Sequence, residues 1–430
     1  MSSRRTFLAG TGITGLFGAA FRADALARAA GADKDAGQCK ACELAANEDY
    51  WSAIARAFDI DRSVINFNNG GVCPTPAHVL EQMIRDLRFT NESPAKHMWQ
   101  ILEPRIESVR RDLAREFGCD AEEIAVTRNA SESMETLIFG IDLKAGDEVL
   151  ITDQNYPRMV TSWDQRARRE GIVVKKISFP VPMPSAADFV DRVRKAITPR
   201  TKVIEVPHIT NLSGQILPVR DVVRLGREKG IEVFVDGAHA FGHFPFQRDD
   251  LECDYYGCSL HKWLLAPIGT GFLYVRKAKQ KSIWPLMAAA ASQDDDIRKF
   301  EEIGTHPAAN HNAVCAALAF HRSIGADRKI ARLRYLRDRW AQALLAADLR
   351  VKVWTPLGAN APSGGIGLVQ IDGIDSGKLA EHMWDKYRIV TISIKHAQFE
   401  GIRVTPNVYT TPDEVDIFID AMTRALAKGV

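Results

Sequence analysis

The chain has almost no net charge. Its 56 Lys and Arg residues are balanced by 54 Asp and Glu, leaving +2, so no basic field exists to draw in nucleic acid. It shows no internal repeat and no low-complexity tract, which excludes solenoid, fibrous and broadly disordered architectures. Cysteine is scarce, with seven in 430 residues. Cys39 and Cys42 form a lone C-x-x-C with no further zinc ligands nearby, so no metal site is expected. In an oxidising compartment that pair serves as a local disulfide, and equally well as two solvated thiols. What is abundant is ordinary: 46% hydrophobic and 26% charged residues describe a globular protein with a large core. At ~100–200 residues per domain, the length predicts two or three units.

The N-terminus reads Met-Ser-Ser-Arg-Arg-Thr-Phe-Leu-Ala, with Arg4 and Arg5 adjacent. A weakly apolar, Gly-rich run follows over 9–21, too short for an ordinary transmembrane helix. Small residues come next, including Ala25-Leu26-Ala27. The segment resembles a twin-arginine (Tat) export signal, which implies use of the Tat export machinery and a mature protein in the periplasm with no stable membrane association. Gly10, Gly12 and Gly15 spell a literal G-x-G-x-x-G, but no strand precedes it, so it is rejected as a dinucleotide site. Gln38 is a poor residue before a lipidated cysteine, which argues against an anchor at Cys39.

From about residue 80 to 276, short apolar stretches alternate with helix-like ones. Residues 148–152, 173–177, 202–206, 232–235 and 272–275 read as strands, and 219–229 as a helix stopped by Gly230. This pattern predicts an α/β fold with a largely parallel sheet covered by helices on both faces. Ligands of such sheets bind beyond the carboxyl ends of the strands. After His306 the character changes. Residues 308–349 read as helical, 366–371 and 388–394 as strands, and 412–427 as a final helix, together a smaller α+β domain. The expected boundaries are 1–30 for the signal, 31–75 for an N-terminal segment, whose part from Asp49 to Thr75 is expected to pack across the sites or onto the small domain, 76–306 for the large domain and 307–430 for the small one.

The strand at 232–235 runs into Asp236-Gly237-Ala238-His239. Alone, Asp236 serves equally well as a turn former or a cleft carboxylate. Twenty-six residues on comes Ser259-Leu260-His261-Lys262-Trp263, followed by Pro267-Ile268-Gly269-Thr270-Gly271. Lys262 stands in an apolar stretch, where burial favours the neutral, nucleophilic amine. Together these motifs resemble the class V aminotransferase family, in particular its isopenicillin N epimerase-like branch. The resemblance runs from Asn68 to the C-terminal helix and implies a fold type I enzyme dependent on pyridoxal 5′-phosphate (PLP), with a seven-stranded sheet.

By matched position, the resemblance makes Lys262 the lysine that holds PLP as a Schiff base and moves protons at the substrate α-carbon. It makes Asp236 the partner of the pyridine nitrogen. His239 and Asn211 fall near the phenolic oxygen. Ser259 and His261 fall at the phosphate, with Ala130 and Ser131 at a helix start whose N–H groups suit an anion. The resemblance puts Tyr156 at the position where an aromatic ring or a histidine stacks on the cofactor. Thr305 reaches the phosphate of a neighbouring subunit, which implies a homodimer. The matched position makes Arg403 the clamp on the substrate α-carboxylate, through a bidentate guanidinium, although a surface salt bridge also suits an arginine there. Asn69, beside Gly70 and Gly71, is expected to line the substrate side, although the glycines also suit a simple turn.

The fold leaves the reaction open. Relatives that remove sulfur from cysteine carry a nucleophilic Cys shortly before the carboxylate-binding Arg, and residues 393–403 contain none. His396 in that stretch serves as an acid or base or, the favoured reading, as a solvated loop residue. The expectation is chemistry at the α-carbon of an amino acid or a peptide-borne amino group, by an aminotransferase or an epimerase. The Tat-like start adds a resemblance to periplasmic PLP proteins that tailor pyoverdine, a secreted peptide siderophore. The alternatives are a PLP-dependent lyase and a non-catalytic PLP-binding scaffold.

Overall fold

Runs of apolar residues only four to seven long can be buried on both sides if they become inner strands of a covered sheet. The computed structural model describes residues 41–430; the twin-arginine segment, the Gly10–Gly15 motif and Cys39 lie outside them. A short strand β1 (Ile65–Asn66) comes first, then β2 (Ile124–Thr127), β3 (Glu148–Thr152), β4 (Val173–Ile177), β5 (Thr201–Pro207), β6 (Glu232–Asp236), β7 (Tyr255–Ser259) and β8 (Gly271–Val275). The seven from β2 to β8 form one sheet in the order β2-β8-β7-β6-β5-β3-β4. Only β8 runs against its neighbours; β4, β3, β5, β6 and β7 pair in parallel.

The two faces of this sheet feed two separate cores. Leu150, Ile204, Val233 and Val235 pack into one, while Val149, Ile151, Val203 and Phe234 pack into the other. Strict alternation along each strand is the period-two geometry of a pleated chain. The parallel strands therefore deliver their carboxyl ends to one edge, and β8 begins there.

The smaller unit contains β9 (Val351–Val353), β10 (Gly367–Ile371), β11 (Ile389–Val390), β12 (Ile392–Lys395) and β13 (Glu400–Val404). Its four-stranded antiparallel sheet has the order β12-β13-β10-β9. The stretch 308–349, expected to be helical, is three helices, Ala308–Asn312, Val314–Ile324 and Ala326–Ala347. The last break falls at Gly325, whose φ of +86° suits glycine. The expected strand over 388–394 is also divided. β11 pairs in parallel with β1, whereas β12 pairs with β13. A cluster built on Trp51, Ile54 and Phe58 packs the N-terminal segment against Leu265, Phe320 and Tyr409, so it touches both units. No helix among the described residues is long and apolar enough to cross a membrane.

Candidate active site

Asp236 is the last residue of β6 and Ser259 the last of β7. Asn129 follows β2 and caps the helix Ala130–Gly140, its side chain accepting from Glu132 N–H at 2.9 Å. Tyr156 precedes the helix Pro157–Glu170 after β3. These strand ends surround a cavity of about 560 Å³ lined by Ala130, Ser131, Tyr156, Asn211, Asp236, His239, Ser259, His261 and Lys262. Residues up to 132 positions apart in sequence thus share one wall because parallel strands end side by side.

Close approach is a local requirement here. A Cβ on Gly237 would lie 1.9 Å from the ring of Tyr256, and one on Gly271 would lie 2.7 Å from the Asn129 Cα. Only glycine lets the Asp236 turn rest on β7 and β8 start beside the capped helix. The turn carrying Lys262 is tied by Leu260 N–H to Thr270 O at 2.9 Å and Ala266 N–H to Leu260 O at 3.1 Å. Leu265 within it has φ of +67°, a left-handed conformation costly for a leucine and held by complete burial.

Lys262 Nζ lies 3.0 Å from His239 Nε2. Burial pushes Lys262 down to about 8, with the charge of Arg403 acting in the same direction and Asp236 opposing. Burial raises the Asp236 carboxyl, while the Ala238 N–H at 2.9 Å and the Lys262 charge pull it back. His239 is held well below the ordinary histidine range by burial, then by Lys262 and Arg403. His261 falls to about 4, again mainly through burial, and its Nδ1 lies 3.2 Å from Thr270 O. The site therefore keeps its imidazoles neutral and its lysine close to losing a proton near neutral pH.

Arg403 lies on β13 and is buried, which lowers it to about 10. Its Nη1 donates to Asn211 O and its Nη2 to Asn68 Oδ1, both at 2.9 Å, while its buried Nε has no partner within the protein. An orphaned buried donor is costly unless a ligand satisfies it. At the opposite end, Ala130 N–H donates to Ser259 Oγ at 2.9 Å, at the start of the Ala130–Gly140 helix. An acid at a strand end, a near-neutral lysine, and a helix start beside Ser131 and His261 form a donor set that fits a phosphorylated pyridine aldehyde.

Three expectations are corrected or refined. Asn69 is fully buried and does not face the cavity: its Nδ2 donates to Asn66 O and Thr405 O, and its Oδ1 accepts from Tyr409 Oη at 2.6 Å. The neighbouring Asn68, at an isolated bridge to Thr405, meets Arg403 instead, while Asn69 lies in the turn that Gly71 N–H closes on Asn68 O at 2.9 Å. His396 is not a solvated loop residue; it stacks on Phe399 at 4.5 Å, with Nε2 3.3 Å from Asp153 O. Thr305 is exposed and stands outside this cavity.

Sequence reasoning missed Glu205. It is fully buried on β5 and accepts from Trp163 Nε1 at 2.6 Å and Asn155 Nδ2 at 2.7 Å. Asn155 Oδ1 in turn accepts from Thr152 N–H, fixing the turn that presents Tyr156. Burial, with Asp236 adding, raises Glu205 to about 8. Nothing in the strand pattern singles out this residue, since a carboxylate within an apolar run acquires its role only from the partners across the sheet.

The isopenicillin N epimerase of Streptomyces clavuligerus is 26% identical over 388 residues, 86% of this chain and 97% of that protein. That of Amycolatopsis lactamdurans is 28% identical over 403 residues, 88% and 99% respectively. A probable cysteine desulfurase of Vibrio cholerae is 28% identical over 345 residues, 74% of this chain and 82% of that one. Among solved structures, the cysteine desulfurase CsdA of Escherichia coli superposes with a TM-score of 0.76 at 21% identity, covering 88% of this chain and 98% of the other, and so shares the fold. The class-V aminotransferase profile matches residues 65–418, and with that span matched the chain belongs to the class-V aminotransferase family, with pyridoxal 5′-phosphate as its cofactor.

Proposed function

We propose that the protein acts at the α-carbon of an amino acid, or of a peptide bearing a free amino-acid end, as an epimerase or aminotransferase. The observation that carries this is the Lys262 amine in the cavity together with the partly unsatisfied Arg403 guanidinium, which is bonded to the carbonyl of Asn211 on the cavity lining. Bound there, PLP supplies an aldehyde that captures amines and a ring that withdraws electrons from the α-carbon. Lys262 would hold the cofactor and afterwards carry the proton to and from the α-carbon. Asp236 would keep the ring nitrogen protonated, and Ser131, Ser259 and His261 would face the phosphate. Arg403 would orient the substrate through its carboxylate, with Asn68 and the Asn211 carbonyl fixing the guanidinium plane.

Among the described residues no cysteine lines the cavity. That favours α-carbon chemistry without a protein-bound sulfur over persulfide formation. A lyase remains the second reading, supported by relatives named as L-cysteine desulfhydrases. Incubation of the holoenzyme with L- and D-amino acids and with peptides carrying α-amines separates the readings. An inverted substrate or a keto acid with transferred nitrogen supports the proposal. Ammonia with sulfide or an unsaturated product would replace it with the lyase, and no spectral response to any amine would leave a binding scaffold.

We also propose Tat-dependent export and a homodimeric active unit, on the strength of Arg4-Arg5 and of the position of Thr305. A twin-lysine variant recovered normally from the periplasm would overturn the first, and a single-chain mass for active holoenzyme the second.

A further inference from the structure

We propose that Trp263 is a positioning residue that fixes His239 as an Nε2–H donor aimed at the reacting end of the cleft. This rests on the reading of Lys262 as the cofactor lysine. The indole Nε1 of Trp263 lies 3.3 Å from His239 Nδ1. An indole nitrogen can only donate, so Nδ1 must be the bare, accepting nitrogen of the ring. A neutral imidazole then carries its single proton on Nε2, which lies 3.0 Å from Lys262 Nζ.

That assignment determines the state of the lysine as well. With Nε2 donating, the Lys262 nitrogen must accept through a lone pair, which only the uncharged amine has. An ammonium there would set N–H against N–H with no acceptor between them. The uncharged amine is the form that attacks an aldehyde. Burial moves Lys262 and His239 toward their uncharged forms independently of this argument. Once the lysine is engaged, the same Nε2–H remains available to a cofactor oxygen.

The indole is itself held in place. Trp263 has no solvent exposure and stacks on His243, with ring centres 3.7 Å apart and planes 13° apart. Lys329, fully buried on the helix Ala326–Ala347, donates to the Trp263 carbonyl. His243 Nε2 accepts from Gly365 N–H at 2.7 Å, which leaves its Nδ1–H to donate to His239 O at 2.7 Å. A Cβ on Gly364 would come within 2.4 Å of the His243 ring, so this packing has no slack. Two histidines four residues apart are therefore required to adopt opposite tautomers.

The test is nitrogen NMR of histidine-labelled holoenzyme, with H239Q and H243Q variants assigning the two rings. The expected result is Nε2–H for His239 and Nδ1–H for His243. An Nδ1-protonated or cationic His239 overturns the proposal, and this measurement does not require a tryptophan variant to fold. A second measurement is the PLP dissociation constant in a double-mutant cycle. W263F should weaken PLP binding about threefold to tenfold, the worth of one ordinary hydrogen bond, and change it less than about twofold when H239Q is already present. An equal loss in both backgrounds means that Trp263 acts by packing alone and overturns the proposal. If borohydride reduction places the cofactor on another lysine, the Lys262 reading fails while the tautomer result stands or falls separately.

Discussion

At the scale of the residue, burial sets the chemistry of this cleft more than charge pairing does. Arg403 engages two protein oxygens and still has a buried Nε without a partner. R403A should therefore raise KM for an α-amino acid about 10- to 100-fold, the loss of a charge-assisted contact, with a smaller effect on kcat. Steady-state kinetics with the best substrate checks this, and an unchanged KM removes Arg403 from the site. Glu205 yields a pH prediction of unusual sign. Its folded value of about 8 lies above the ordinary 4.5. Between those values the folded protein keeps a proton that the unfolded chain releases, so this group lowers stability as pH rises through that window. E205Q should flatten that slope. Wild-type stability relative to E205Q should fall from about pH 5 to about pH 8 and level off above, as read from urea midpoints. A difference that does not vary with pH would show that Glu205 is not titrating there.

At the scale of the element, strand ends and glycines place the groups. The strands at residues 148–152 and 173–177 were legible to the residue, and so was the helix ending at Gly230. Uninterrupted apolar runs and a left-handed glycine stop are local signals. The helix over 308–349 was legible only as helical, because an Ala- and Leu-rich run gives no local sign of where it must turn back. The split at Thr391 was invisible for a related reason: β11 and β12 differ in partner, not in composition. The contact of Gly237 with the Tyr256 ring gives a test at this scale. G237A should push the Asp236 turn off β7 and cost about 1–3 kcal/mol, as overpacking does, with weakened PLP binding. Denaturation midpoints and PLP titration measure both, and full retention of the two would mean that the turn can relax.

At the scale of the whole molecule, the N-terminal segment closes the two units together. Trp51 is buried beneath the Arg332 guanidinium, 5.4 Å from ring centre to Cζ. Arg332 in turn bonds Ala45 O at 2.9 Å, Thr410 O at 3.1 Å and the Glu48 carboxylate. W51A should cost about 3–5 kcal/mol, the range for emptying a buried aromatic site. Chemical denaturation gives the number, and a loss below about 1 kcal/mol would show that the segment contributes little to the fold.

By itself the sequence determined the motif around Lys262, the acid at the end of β6 and the largely parallel sheet, because these follow from local periodicity and short motifs. Only the tertiary structure decided that Asn68 rather than Asn69 meets Arg403, that Glu205 underlies the Tyr156 turn, and that Trp263 selects the His239 tautomer. Each of those depends on which side chain is desolvated beside which partner, and segments up to hundreds of residues apart meet only when the chain is folded.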